Sequence, residues 1–264
     1  APEECGAPRT RGRFPLGVAP VRKERSYGLV FSVPLFASLV LVLAAAAQEQ
    51  SVRPGINRYF IDPEWQQWVN TFERPGREVY DKRHAIVAAS SIRPGMSVAD
   101  IGAGTGLFTR LFAAAVEPGG QVYAIDISRT FIENILRTCR EQGLSNVTGI
   151  VNTPTDIGLP ADTIDLAFIT DTYHHFEYPA AMMQSIRAAL KPGGSVVVVD
   201  FRRIPGFSSS WVMGHVRADE AAVIGEIEAS GLSGKEVKGF AAAGTGCNAI
   251  SKRFQHLFSE LRQV

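Results

Sequence analysis

The stretch "SVADIGAGTGLFTRLFAAAV" (97–116) limits the fold more than any other part of the chain. A strand-like run leads into Gly102-x-Gly104-x-Gly106, and a helical pattern follows at once. Glycines tolerate positive φ and let a ligand approach the backbone. A helix start adds unpaired N–H groups and a positive field. Strand, glycine loop and helix in that order form the nucleotide-type corner of an open α/β sheet.

The surroundings repeat the alternation. Strands are predicted over 97–102, 121–127, 146–151, 164–170 and 194–201, and helices over 107–116, 129–143 and 180–190. In 129–143, Phe131, Ile132, Ile135, Leu136 and Cys139 have helical spacing, so Cys139 reads as buried packing. Near-continuous Val/Ile runs between helices indicate a parallel sheet covered on both faces. The expected fold is α/β: a Rossmann-like, doubly wound, mostly parallel sheet with helices on both faces. Helices are also predicted over 63–72, 77–90, 218–230 and 248–264. The last places Ile250, Phe254, Leu257, Phe258 and Leu261 on one face, which gives an atypical helical C-terminal tail. After Phe201 the only strand signal is a weak one over 235–240.

Three regions are expected: 1–47, a basic segment plus an apolar stretch; 48–75, a polar linker with an N-terminal helix; and 76–264, the main domain. Residues 27–47, "YGLVFSVPLFASLVLVLAAAA", follow six basic residues and end in small ones. That is the layout of a signal peptide, with Ala45-x-Ala47 as its cleavage motif, or of a membrane anchor about long enough to span a bilayer. The protein is therefore expected to be exported or membrane-anchored, with the cytoplasmic face of the membrane as the alternative. The net charge of +1 gives no overall basic field for nucleic acid. Cys5, Cys139 and Cys247 form neither a disulfide framework nor a zinc site.

The glycine loop departs from a dinucleotide fingerprint. Its third glycine comes one residue early, and Asp100 stands two residues before the first. A carboxylate there repels a diphosphate and attracts an ammonium. Asp126 closes the next strand, where an acid can accept both hydroxyls of a ribose. One acid for an ammonium, a close-packed loop and one acid for a ribose together describe S-adenosylmethionine.

The segments "VADIGAGTG", "VYAIDIS", "TDIGLPADTIDLAFITDTYHHF" and "LKPGGSVVVVDF" resemble, in order, the motifs of class I S-adenosylmethionine-dependent methyltransferases, over roughly residues 75–205. Within that class the chain is similar to bacterial small-molecule enzymes of the methyltransferase-domain type. The resemblance implies that Asp100 meets the methionine ammonium, while Gly102, Ala103, Gly104, Thr105 and Gly106 form the loop. It implies Asp126 on the ribose and Ile127 against the adenine, with Thr155 and Asp156 near the adenine amino group. Asp171 and Thr172 would lie beside the methionine part. Such enzymes end in an antiparallel strand pair, for which this tail carries no clear signal.

"DTYHHFEYP" (171–179) follows the fourth strand, at the sheet edge where ligands bind in open α/β folds. Neutral His174 or His175 could take a proton from an attacking hydroxyl, thiol or amine, and Tyr173 could orient the acceptor. The segment 200–218 reads as a lid or acceptor wall, with Arg202, His215 and Arg217 as substrate residues. A metal centre needs three or four convergent ligands. His174, His175 and His215 have no thiolates nearby, so the sequence predicts no metal site.

The function expected is methyl transfer to a small-molecule O, N or S nucleophile, a thiol among them. The alternatives are a membrane-associated lipid or quinone methyltransferase and an inactive cofactor-binding module. Nucleic-acid amino-methylation uses an Asp/Asn-Pro-Pro-aromatic motif where this chain has "DTYH", so no nucleic-acid partner is expected. Arsenite methyltransferases carry a cysteine set that is absent here.

Overall fold

The computed structural model describes residues 50–232, 237–239 and 247–249. The apolar segment 27–47 and most of the predicted 248–264 helix lie outside them. Among the described residues, no helix is long and apolar enough to cross a membrane.

Helices α1 (Trp65–Phe72), α2 (Glu78–Asp81) and α3 (Arg83–Ala89) precede the sheet. The sequence predicts one helix over 77–90; the chain instead breaks at Lys82, whose backbone is not helical. The alternation then begins: β1 (Ser97–Ile101), α4 (Leu107–Ala115), β2 (Gln121–Asp126), α5 (Arg129–Glu141), β3 (Val147–Val151) and β4 (Ile164–Thr170). A 3-10 turn (Tyr173–His175) leads to α6 (Pro179–Ala189), β5 (Leu190–Phe201), α7 (Ser210–His215) and α8 (Glu220–Ala229). Two short strands, β6 (Val237–Gly239) and β7 (Cys247–Ala249), complete the described chain.

The sheet order is β3-β2-β1-β4-β5-β6, with β7 also on β5. The pairs from β3 through β6 are parallel, and β7 is antiparallel. The α/β architecture is as expected. The tail is not wholly helical: residues 247–249 are strand where helix is predicted from 248, and β6 falls in the weak 235–240 signal. Strand β5 also starts earlier than predicted. Leu190 pairs with Ile164, the ladder shifts register, and Ser195 resumes opposite Leu166.

Both faces of the sheet are covered. On one, Phe108 and Phe112 of α4 pack on Phe168 of β4, with ring centroids 4.9 and 4.8 Å away. On the other, Met183 and Ile186 of α6 and Ile227 of α8 close over Ile169 and Val198. Helix α5 starts at Ser128, whose hydroxyl accepts from the Phe131 N–H at 3.2 Å. Such a cap contributes about 1 kcal/mol. The helix buries Phe131, Ile132, Ile135 and Cys139, so Cys139 is the free, packed cysteine its spacing predicts.

This topology fixes where a ligand can sit. β2 and β4 leave β1 in opposite directions, so the chain parts at the carboxyl end of β1. A crevice at such a switch point is where open α/β sheets bind ligands.

Candidate active site

At that edge lies a cleft of about 980 Å³. This is the upper end of the roughly 300–1,000 Å³ typical of small-molecule pockets, with room for a cofactor and an acceptor side by side.

The glycine loop forms one end. Gly102 has φ +70°, and a Cβ there would come within 2.2–2.7 Å of the Thr172 side chain. Both the backbone conformation and the space require glycine. Gly106 has φ +74°, and a Cβ there would meet Ile135 at 2.8 Å. Gly104 differs: φ is +54°, but Phe72 would be 3.5 Å from its Cβ. Gly106 serves the packing of α4 against α5, while Gly104 faces the cleft.

Two buried carboxylates flank the loop. Asp126 accepts from the Gly104 N–H and the Ser128 N–H, both at 2.9 Å. Burial pushes its pKa up to about 6, against the pull of those N–H groups. Asp100 accepts from the Thr109 hydroxyl at 2.6 Å. Burial, then the charge of Asp126, raise it to about 7, although the Thr109 bond opposes the rise. The Thr170 hydroxyl oxygen, also on the cleft wall, is buried with no hydrogen-bond partner. This donor set fits S-adenosylmethionine: an ammonium relieves Asp100, ribose hydroxyls relieve Asp126, and the loop admits a close ligand.

Ala103, Thr105, Ile127, Asp171 and Thr172 line the same cleft. Asp171 has φ +49°, an uncommon conformation for a residue with a side chain, and is held by Arg77. Thr155 and Asp156 are not part of the lining; Asn152 and Pro154 of that loop are. The Asp156 carboxylate is turned aside because it accepts from the Gly158 N–H and the Ser185 hydroxyl, both at 2.8 Å. The first of these is the main cause of its lowered pKa.

An aromatic row leads from the glycine loop to the other, basic end of the cleft. Phe60, Trp68 and Phe72 stand in a row, with centroids 4.7 and 4.9 Å apart, and Phe60 meets His175 edge-on at 5.1 Å. Residues 53–60, read from sequence as linker, line this end. His174, His175 and His215 converge here. The His174 Nδ1 lies 2.7 Å from Asp200 Oδ1, and Asp200 also accepts from the His174 backbone N–H at 3.1 Å. Burial lowers the His174 pKa, but the Asp200 charge and hydrogen bond outweigh it, leaving a net rise. For His175, burial and then the neighbouring histidines bring the pKa down to about 3.

Three predicted residues lie elsewhere. Tyr173 is fully buried, and its hydroxyl donates to Glu226 at 3.0 Å, so it does not reach an acceptor. Arg217 is held by the same Glu226 through two 2.7 Å bonds. Arg202 pairs with Glu220 at 3.6 Å. In each case a nearby carboxylate on α8 competes for the side chain. Conversely, Asp200, Asn57, Arg53 and Arg77 belong to the site and were missed. Asp200 had a signal: an acid closing the buried apolar run "SVVVVDF" at the ligand edge of a sheet. Asn57 and Arg53 sit in a segment without periodicity, and Arg77 opens a predicted helix, where a basic residue reads as solvated surface.

The family described as "Methyltransferase domain" matches residues 99–198. The ubiquinone/menaquinone biosynthesis C-methyltransferase UbiE of Burkholderia vietnamiensis is 33% identical over 124 residues, 45% of this chain and 48% of that one. The chain thus spans about half the length of the curated relatives it matches. A SAM-dependent methyltransferase from Aquifex aeolicus superposes with TM-score 0.60 at 21% identity, covering 71% of this chain and 96% of that one. A "possible exported protein" from Bordetella parapertussis gives 0.53 at 15% identity, covering 68% and 70%. With its glycine loop, paired carboxylates and switch-point cleft, the region around residues 99–198 is a class I S-adenosylmethionine-dependent methyltransferase domain, and S-adenosylmethionine is the cofactor of that class.

Proposed function

We propose that the protein transfers a methyl group from S-adenosylmethionine to a small-molecule acceptor held against the histidines. The observation that carries this reading is one continuous cleft running from Asp100, Gly104 and Asp126 to His174, His175 and His215. Bound there, S-adenosylmethionine supplies an electrophilic methyl and its own thioether leaving group.

The chain's task is then placement. Asp126 and Asp100 fix the two polar ends of the cofactor, and the aromatic row limits where the acceptor can lie. Orientation of this kind provides on the order of 7–11 kcal/mol. Asp200 holds the Nδ1 of His174, which makes Nε2 the lone-pair nitrogen available to an acceptor's X–H group. Losing that assistance costs roughly 10²–10⁴-fold in rate. The acceptor is an O, N or S nucleophile, and thiols need the least help.

A lipid or quinone acceptor is the second reading. It is favoured by exposed apolar side chains: Tyr59 and Trp211 on the cleft, and Ile61 and Phe207 beyond it. The Burkholderia relative, by name a C-methyltransferase of ubiquinone/menaquinone biosynthesis, supports the same reading. The basic flank before the apolar segment 27–47 supports export or anchoring, as does the Bordetella neighbour's description. Protease accessibility of the domain in intact spheroplasts tests that point.

The experiment pairs calorimetry with S-adenosylhomocysteine and isotope-labelled methyl transfer into a cell extract. Binding plus a labelled water-soluble product is expected. Label in the lipid fraction favours the second reading. Binding with no label in any fraction makes the protein a cofactor-binding module and overturns the enzymatic one.

A further inference from the structure

We propose that His174, His175 and His215 form a binding site for one divalent transition metal of the zinc class, with a further coordination position open to the acceptor. One ring nitrogen of each histidine lies within 4.8 Å of the others. His174 and His175 are adjacent in the 3-10 turn after β4, and His215 ends α7. The fold alone therefore brings the third ligand to the other two.

The spacing suits a metal. Nε2 of His175 and Nε2 of His215 face each other at 3.3 Å. Two nitrogens at ~2.0–2.1 Å from a tetrahedral zinc stand ~3.3–3.4 Å apart. A shared proton can also span this gap, so the neighbours decide between the two. The Asn57 amide donates to the His175 carbonyl at 3.0 Å, which turns its Oδ1 toward His175 Nδ1 at 3.2 Å. Nδ1 therefore carries the proton and Nε2 presents a lone pair. Asp200 does the same for His174 from 2.7 Å. An oxygen acceptor behind the ring, with the other nitrogen turned inward, is the arrangement that orients metal-bound histidines. Trp211 stacks on the His215 ring at 4.6 Å and 17°, which limits its rotation. A plain proton relay needs two imidazoles, whereas three converge here.

Three protein ligands with one open position is the pattern of catalytic rather than structural zinc. Imidazole ligands suit zinc and its neighbours in the first transition row. All three histidines border the cleft, so a ligand at the open position faces the acceptor space. A coordinated thiol is deprotonated outright: its sulfur lone pair fills the open position and its proton passes to solvent water. With a metal bound, the Nε2 lone pair of His174 is taken, and the site holds a thiol acceptor as its anion in place of proton transfer to that histidine. This role rests on the methyltransferase reading; the site itself does not.

The test uses the full chain, freed of metal by a chelator and titrated with Zn²⁺ by calorimetry and with Co²⁺ by visible absorption. One saturable equivalent and the strong d–d bands of low-symmetry cobalt are expected. His215→Ala should lose both, and Asn57→Ala should bind ~10–100-fold more weakly. His84→Ala, an exposed histidine outside the cleft, should titrate as wild type. S-adenosylhomocysteine affinity is measured on the same samples and should be unchanged in His215→Ala, which shows that the variant is folded. Absence of a saturable equivalent in the wild type, or wild-type titration by His215→Ala, overturns the site. Metal binding without S-adenosylhomocysteine binding overturns the methyltransferase reading and leaves the site standing.

Discussion

The two ends of the cleft are built from different materials. The cofactor end is mostly backbone: a glycine loop, the start of α4 and two carboxylates, all within residues 100–127. The acceptor end is side chains, gathered from residues 53–60, the turn after β4, the end of β5 and α7. Backbone positions are set by the sheet, so the first end is held in place before any ligand arrives. The second depends on whether four separate segments close together. The first end should therefore respond to substitution sharply and in cofactor affinity, the second in turnover.

Gly102→Val should have the largest effect. The new side chain would overlap Thr172 and occupy a positive-φ position, so cofactor binding should fall at least ~100-fold, with a lower melting temperature. Wild-type affinity by calorimetry would mean that the loop can move aside. Asp126→Ala comes next. It removes a charged acceptor of ribose hydroxyls and also frees the Gly104 and Ser128 N–H groups. With ~1.5–3 kcal/mol for each of two hydrogen bonds to a charged group, affinity should drop ~10²–10⁴-fold. An unchanged affinity in a folded variant would refute the ribose assignment.

Asp100→Asn separates stability from binding. A buried acid whose folded pKa is raised from 3.8 to about 7 contributes stability that is present below the unfolded value. That contribution is lost as pH rises through about 7. Thermal melts of the ligand-free wild type should thus fall relative to those of the Asn variant between pH 5 and 8, on the order of 2–4 kcal/mol from this group. The Asn variant should lack this fall and bind S-adenosylhomocysteine more weakly. A wild-type profile that rises relative to that of the Asn variant over this range would contradict the assignment. The comparison cancels the opposite contribution of His175, whose depressed pKa makes stability rise up to about pH 6.5 in both proteins. Arg202→Ala should do least, because its half-exposed pair with Glu220 contributes only ~0–1 kcal/mol. A large loss of turnover there would return Arg202 to the acceptor wall.

The same division governs what the sequence could disclose. Gly102, Gly104 and Asp126 were legible because positive-φ backbone and strand-end acids leave local marks. Asp156 shows the limit: the loop is at the cleft, but which of its residues turns inward depends on Ser185, 29 positions away. Asn57 and Arg53 left no mark at all, since a polar, aperiodic stretch reads the same whether it hangs free or lines a site. The edge strand β7 was hidden for a related reason. Three residues are too few to show a period, and the apolar helical pattern after them dominated the reading.

The tryptophans give each end of the cleft its own optical signal. Trp68 lies against Phe72, beside Gly104, whereas Trp211 lies flat on His215. Trp65 is set apart on Phe131. A cofactor entering beside the loop changes the surroundings of the first indole, and an ion or acceptor at the histidines changes those of the second. With Trp65 and one of the other two replaced by phenylalanine, emission from the remaining indole would record the order in which the two ends fill.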